Sequence, residues 1–209
     1  MAMNLPRVYA ITDCRLTGLS HAEQVRRLAA GGVRLIQLRE KTASPRAFYE
    51  QAREAVAVAR ELGVQVLIND RVDIALAVGA DGVHLGQEDL PPEKARALLG
   101  PDRLIGFSTH SLEQALAADA WPVDYIAIGP IFPTQTKEHP DPVVGVEMVR
   151  AVRARIRKPL VAIGGITLET APRVIAAGAD AVAVIADLLR APDITARARQ
   201  YVETLAALP

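Results

Sequence analysis

Short apolar, β-branched runs alternate with longer amphipathic segments from one end of the chain to the other. Residues 8–12, 33–38, 64–69, 82–85, 104–108, 125–129, 160–164 and 181–185 read as strands, being brief, apolar and bounded by turn-forming residues. Between them, residues 21–30, 45–62, 112–118, 146–155 and 168–177 read as helices. In residues 51–62 the apolar positions recur at helical spacing, with Arg53, Glu54 and Arg60 between them, as in a helix lying on a sheet. The segments Ala30-Gly31-Gly32, Leu62-Gly63, Val78-Gly79 and Ala177-Gly178 fit left-handed helix endings before the next strand.

Eight strand-plus-helix units of roughly 25 residues fill the length, which predicts one (β/α)₈ barrel domain over residues 1–209. An open doubly wound sheet is the competing arrangement, but it usually needs fewer strands. No linker or composition break interrupts the units. Residues 130–142 form one long strand-to-helix loop, and loops of that length in compact domains are usually functional.

Charge and cysteine content narrow the classes. Lys plus Arg and Asp plus Glu number 24 each, so a net charge of zero gives no reason to expect nucleic acid or a membrane surface as partner. The single cysteine, Cys14, excludes an intramolecular disulfide and a cysteine metal cluster, and reads as an incidental thiol. His21, His84, His110 and His139 show no metal-ligand spacing with one another. The first residues lack a signal-peptide layout and no apolar run approaches membrane-spanning length, so a soluble, cytoplasmic chain is expected.

Chemistry concentrates where the strands stop. Residues 66–70 and 83–89 are apolar runs that each end in polar residues with a carboxylate, Asp70 in one and Asp89 in the other. In parallel α/β folds these ends face a common ligand site. Two acids together there are costly unless a proton or cation lies between them. With phosphate-suited stretches later in the chain, the expected cation is Mg²⁺ holding a diphosphate.

The motifs Gln37-Leu38-Arg39-Glu40-Lys41, Asn69-Asp70-Arg71, His84-Leu85-Gly86-Gln87-Glu88-Asp89, Gly129 to Lys137 and Ile163-Gly164-Gly165-Ile166 together resemble the thiamine-phosphate synthase family. The resemblance spans residues 9–185 and implies a transferase. Such an enzyme joins a hydroxymethylpyrimidine diphosphate to a thiazole phosphate with Mg²⁺, releasing diphosphate. It implies Asp70 and Asp89 as metal ligands, although an isolated Asp70 could equally cap the helix after it. Gln37, Leu38, Arg39, Glu40, Lys41, Asn69, Ser108 and Lys137 would meet the pyrimidine diphosphate, with Lys137, Ser108 and Arg39 as the catalytic groups. Glu40 reads as more structural, paired with a neighbouring base.

Thr134, Gln135, Thr136, Gly164, Gly165, Val184, Ile185 and Ala186 would meet the thiazole phosphate, although the glycines could serve only to turn the chain. Ala186 stands where the family often shows serine. His110 reads as a supporting residue beside Ser108. The resemblance further implies small-molecule substrates and a homodimer. The alternatives are a thiazole tautomerase, which has no need to bind diphosphate, a generic phosphate-binding barrel, and a regulatory homologue without chemistry.

Overall fold

The computed structural model describes residues 5–134 and 141–208. Eight parallel strands close into a barrel: β1 (Val8–Thr12), β2 (Leu35–Leu38), β3 (Gln65–Asn69), β4 (Gly82–Leu85), β5 (Leu104–Thr109), β6 (Tyr125–Ile128), β7 (Leu160–Ile163) and β8 (Ala181–Val184). Closure comes from β1 pairing with β8, Val8 opposite Val182 and Ala10 opposite Val184. The helices are α1 (Cys14–Thr17), α2 (His21–Ala30), α3 (Pro45–Glu61), α4 (Val72–Val78), α5 (Pro92–Leu99), α6 (Leu112–Asp119), α7 (Gly145–Arg153), α8 (Ala171–Ala176), α9 (Ala186–Leu189) and α10 (Ile194–Ala206). Side chains of Ser20, Ser44, Ser111 and Asp193 cap α2, α3, α6 and α10, each accepting a backbone N–H three residues on.

Strand side chains alternate between two cores, as the pleat requires. Val8, Ala10, Ile36 and Leu38 pack outward under the helices. Tyr9, Ile11, Leu35, Leu67, Tyr125, Ala127, Val161, Ala181 and Ala183 fill the barrel. Two residues beyond Leu35 and Leu67 on the same inward faces come Gln37 and Asn69, at the strand carboxyl ends. The same pleat therefore builds the core and then aims polar side chains into the site.

Large and small residues share the interior. Tyr9 and Tyr125 meet edge to face, ring centroids 5.9 Å apart, and Gly106 leaves the room this needs. A Cβ at Gly106 would lie 2.0 Å from the Tyr125 ring. Gly106→Ala is expected to cost about 1–3 kcal/mol through overpacking, read as a lower midpoint in thermal or urea unfolding. An unchanged midpoint would show that Tyr125 can move freely.

Several boundaries shift for local reasons. Strand β2 begins at Leu35 rather than 33, because the Val33 N–H is taken by Leu28 O at the end of α2. The expected helix over 168–177 shortens to Ala171–Ala176, since Thr167 and Thr170 bond each other in a turn instead. Helices α1, α4, α5, α9 and α10 lie outside the residue ranges expected from periodicity. Helix α10 packs on α2 at Gly31, where a Cβ would come within 2.5 Å of Ala198 Cβ.

Candidate active site

A cavity of about 720 Å³ opens at the carboxyl ends of the strands. Gln37, Arg39, Lys41, Asn69, Asp70, Asp89, Ser108, Thr134, Gly164, Gly165, Val184, Ile185 and Ala186, thirteen of the residues expected from sequence, line it. Gln135, Thr136 and Lys137 lie outside the described residues. Leu38 and Glu40 do not line it. The pleat of β2 turns Leu38 away from Gln37 into the outer core, and Glu40 lies beyond the end of the strand. Glu40 accepts from Thr42 N, Thr42 Oγ1 and Ala43 N. Neither side chain is therefore presented to the cavity.

Charge on the rim is arranged in pairs. Lys41 Nζ lies 2.5 Å from Asp70 Oδ2, and Arg39 Nη1 lies 2.7 Å from Asp13 Oδ2. Asp70 does not cap the following helix; that position belongs to Arg71, without a side-chain bond. Instead Asp70 adopts φ 63°, left-handed at a non-glycine residue, where asparagine and aspartate are the tolerated types. Strain of this kind collects at functional sites. Asp89 Oδ2 accepts the Gly86 N–H at 2.7 Å. Its carboxyl is held above the usual range, by burial first, against the Gly86 bond, and further by the neighbouring Asp70 carboxylate.

Deeper in the cavity a chain of hydrogen bonds crosses the barrel. Gln37 Nε2 donates to Tyr9 Oη at 2.7 Å, and Tyr125 Oη donates to Tyr9 Oη at 2.9 Å. His84 Nδ1 lies 2.8 Å from Tyr125 Oη, and His84 Nε2 lies 2.8 Å from Ser108 Oγ. Burial raises both phenols, so neither ionises near neutral pH. Because Tyr125 spends its proton on Tyr9, it accepts from His84 Nδ1–H, which leaves Nε2 to accept from the Ser108 hydroxyl. Ser108 then presents oxygen lone pairs to the cavity. Gln87 Nε2 fixes the same strand end by donating to Ser108 O at 2.6 Å.

Asn69 supplies the opposite polarity. Its Nδ2 is buried without a hydrogen-bond partner among the described residues, a state costing about 1–3 kcal/mol that a ligand acceptor would relieve. The cavity thus offers an unsatisfied donor at Asn69 and an acceptor at Ser108.

Sequence reading missed Tyr9, Tyr125, Asp13 and the part played by His84. Their signal is the inward face of each strand, which contains them once the register is known. His110 was expected beside Ser108. It bonds Gly129 O at 2.7 Å through Nδ1 and lies 3.6 Å from Asp141 through Nε2, and the histidine that touches Ser108 is His84.

On the far side, Gly164 and Gly165 adopt φ 100° and 62°. A Cβ at Gly165 would lie 2.4 Å from Pro133 O and 2.8 Å from Phe132 Cβ, so this bend and the loop after β6 can approach only without a side chain. Next to it, Ile185 precedes α9, whose first residue is Ala186.

This arrangement agrees with three similarities. A protein-family model described as thiamine monophosphate synthase matches residues 8–188. A thiamine-phosphate synthase of Koribacter versatilis is 50% identical over 97% of both chains, and one of Azorhizobium caulinodans is 48% identical over 92% of this chain and 91% of its own. The solved thiamine phosphate pyrophosphorylase from Pyrococcus furiosus superposes with a TM-score of 0.88 at 38% identity, covering 97% of this chain and 96% of that one. The chain belongs to the thiamine monophosphate synthase family.

Proposed function

We propose that the chain is a thiamine-phosphate synthase. In this reading it joins 4-amino-2-methyl-5-hydroxymethylpyrimidine diphosphate to a thiazole phosphate, or its carboxylated form, and releases diphosphate. The observation that carries the reading is the acid pair Asp70 and Asp89 in one cavity with the donor of Asn69 and the acceptor of Ser108. A thiazole tautomerase would leave the acid pair without a task. No helix among the described residues is long and apolar enough to cross a membrane. A homodimer in the cytoplasm belongs to the same reading, checked by sedimentation and cell fractionation.

The acid pair fits Mg²⁺. Two carboxylates with hard oxygen donors lie together, and the Asp89 carboxyl, raised first by burial and then by the Asp70 carboxylate, is one that a cation would help to ionise. Asp70 and Asp89 would hold the ion, which supplies charge neutralisation to the diphosphate. The protein's own groups do the rest. Asn69 donates to a ring nitrogen of the aminopyrimidine and Ser108 accepts from its amino group, which fixes the ring. Arg39 and Lys41 bind the diphosphate. As the carbon–oxygen bond breaks, positive charge spreads into the electron-rich ring, and the thiazole nitrogen attacks with its own lone pair. No general base is needed, so positioning and leaving-group stabilisation carry the reaction. Ile11, Ala127, Val161 and Ala183 give the cavity apolar walls that keep water from the cation.

Backbone N–H groups near Gly165, Ile185 and Ala186 would hold the thiazole phosphate, after the seventh and eighth strands, where barrels of this kind often bind phosphate. Ala186 in place of serine removes a hydroxyl but keeps its backbone donor. Gly165→Ala is expected to raise the thiazole-phosphate KM more than the pyrimidine-diphosphate KM, because it displaces backbone at one end of the cavity. Equal rises in both would refute that division. The function itself is tested by incubating purified protein with both substrates and Mg²⁺ and assaying thiamine phosphate; no product would overturn it.

A further inference from the structure

The geometry points to a second metal site at Cys14, His21 and Glu40, suited to Zn²⁺ and separate from the acid pair. One ligand atom from each residue lies within 4.8 Å of the others. The cluster sits behind the cavity, because Arg39 and Lys41 line the cavity and Glu40 between them does not. The expectation that these histidines and the lone thiol have no metal chemistry came from sequence spacing. The barrel brings together three residues spaced too irregularly for any linear motif.

The decisive feature is Nε2 of His21, whose side chain is fully buried. Thr12 Oγ1 lies 3.2 Å from Gln37 O and 2.7 Å from His21 Nδ1; with its proton directed to Gln37 O it accepts from Nδ1–H, the tautomer that a metal ion at Nε2 requires. In that tautomer Nε2 carries a bare lone pair. Nε2 is buried without a hydrogen-bond partner and lies 4.0 Å from Glu40 Oε2. Burial also disfavours the imidazolium and lowers the His21 pKa, against the pull of Glu40 and Asp13. A neutral lone pair facing a carboxylate is repulsive unless a cation lies between them.

Both protein ligands are pre-oriented by their other ends. Three hydrogen bonds hold Glu40 Oε1 and leave Oε2 turned to the cluster, as second-shell partners do at metal sites. They outweigh the opposing effect of burial and keep the carboxyl below its usual range. Cys14 is half-buried, which leaves a path for an ion. Burial first, then the charges of Glu40 and Asp13, push its thiol up to about 11. Of these causes, the negative charges of Glu40 and Asp13 would also attract a cation to the thiol.

Sulfur, nitrogen and oxygen together select zinc over magnesium, which takes only oxygen here. Zinc–ligand bonds of about 2.0–2.3 Å place ligand atoms ~3.3–3.6 Å apart, reached by side-chain rotations of roughly an ångström. A bound ion would clamp the β1 end, the start of α2 and the β2 end that carries Arg39 and Lys41.

The test uses chelator-treated full chain with excess Mg²⁺, titrated with Co²⁺ and then Zn²⁺. One equivalent of Co²⁺ should give a thiolate-to-cobalt charge-transfer band that Zn²⁺ abolishes. Zn²⁺ should also raise the thermal midpoint. Cys14→Ser and Cys14→Ala, checked for native circular dichroism, should lose the band and bind Co²⁺ roughly 10-fold or more weakly. Asp70→Asn should retain it. Absence of the band in the native chain, its persistence in either folded Cys14 variant, or its loss in Asp70→Asn would overturn the site.

Discussion

Asp89→Asn is expected to reduce Mg²⁺-dependent turnover by two or more orders of magnitude while leaving stability equal or higher. Asparagine keeps the shape and an oxygen to accept the Gly86 N–H, now 2.7 Å from Asp89 Oδ2. What it removes is one formal negative charge from a half-buried pair. The sign follows from the raised pKa of Asp89, caused by burial and by Asp70. A carboxyl whose folded pKa is raised releases its proton less readily in the folded chain than in the unfolded one. Above that pKa the ionised group therefore destabilises the metal-free fold. Neutralising it relieves this cost and abolishes a hard ligand for Mg²⁺. Asp70→Asn should lose turnover similarly. It also removes the pair with Lys41, whose side chain is 46% exposed, so its effect on stability is small. Steady-state rates over a Mg²⁺ titration, with thermal midpoints without metal, check both halves. Full turnover in chelator would remove the acid pair from the reaction.

The barrel was legible because each of its determinants is local. Apolar runs, amphipathic helices and glycine helix ends all act within a few residues, and the glycines at 32, 63, 79 and 178 indeed adopt positive φ. The rim was legible for a related reason, since a parallel sheet brings its carboxyl ends together whatever the details. Thirteen residues expected at the site therefore line one cavity. The interior relay was not legible. Tyr9 and Tyr125 lie 116 positions apart and meet only through barrel closure, and each alone reads as an ordinary core aromatic. The grouping of Cys14, His21 and Glu40 is hidden for the same reason. Leu38 and Glu40 went astray differently. The strand turns Leu38 to its outer face, and Glu40, already expected to be structural, lies past the end of β2.

Lys137→Ala is expected to lower kcat by roughly 10²-fold or more, with little change in affinity for the pyrimidine diphosphate. Lys137 lies outside the described residues, between two that reach the site. Thr134 and Asp141, on either side of it in sequence, both line the cavity. Arg39 and Lys41 are already engaged, at 2.7 Å to Asp13 and 2.5 Å to Asp70. Their charge is partly offset before substrate arrives. Negative charge grows on the departing diphosphate as the carbon–oxygen bond breaks, so a further cation acts more on the transition state than on the bound substrate. Removing it should therefore depress kcat rather than raise KM. Lys137→Arg should restore part of the loss, because a planar guanidinium replaces a compact ammonium imperfectly in a fitted site. A lysine that is only a solvated surface charge gives near-normal turnover in both variants. Kinetics with the pyrimidine diphosphate varied at saturating thiazole phosphate separate these outcomes. A full kcat in Lys137→Ala would return the task of stabilising the leaving group to Arg39 and Lys41, which would first have to exchange their carboxylate partners for the diphosphate.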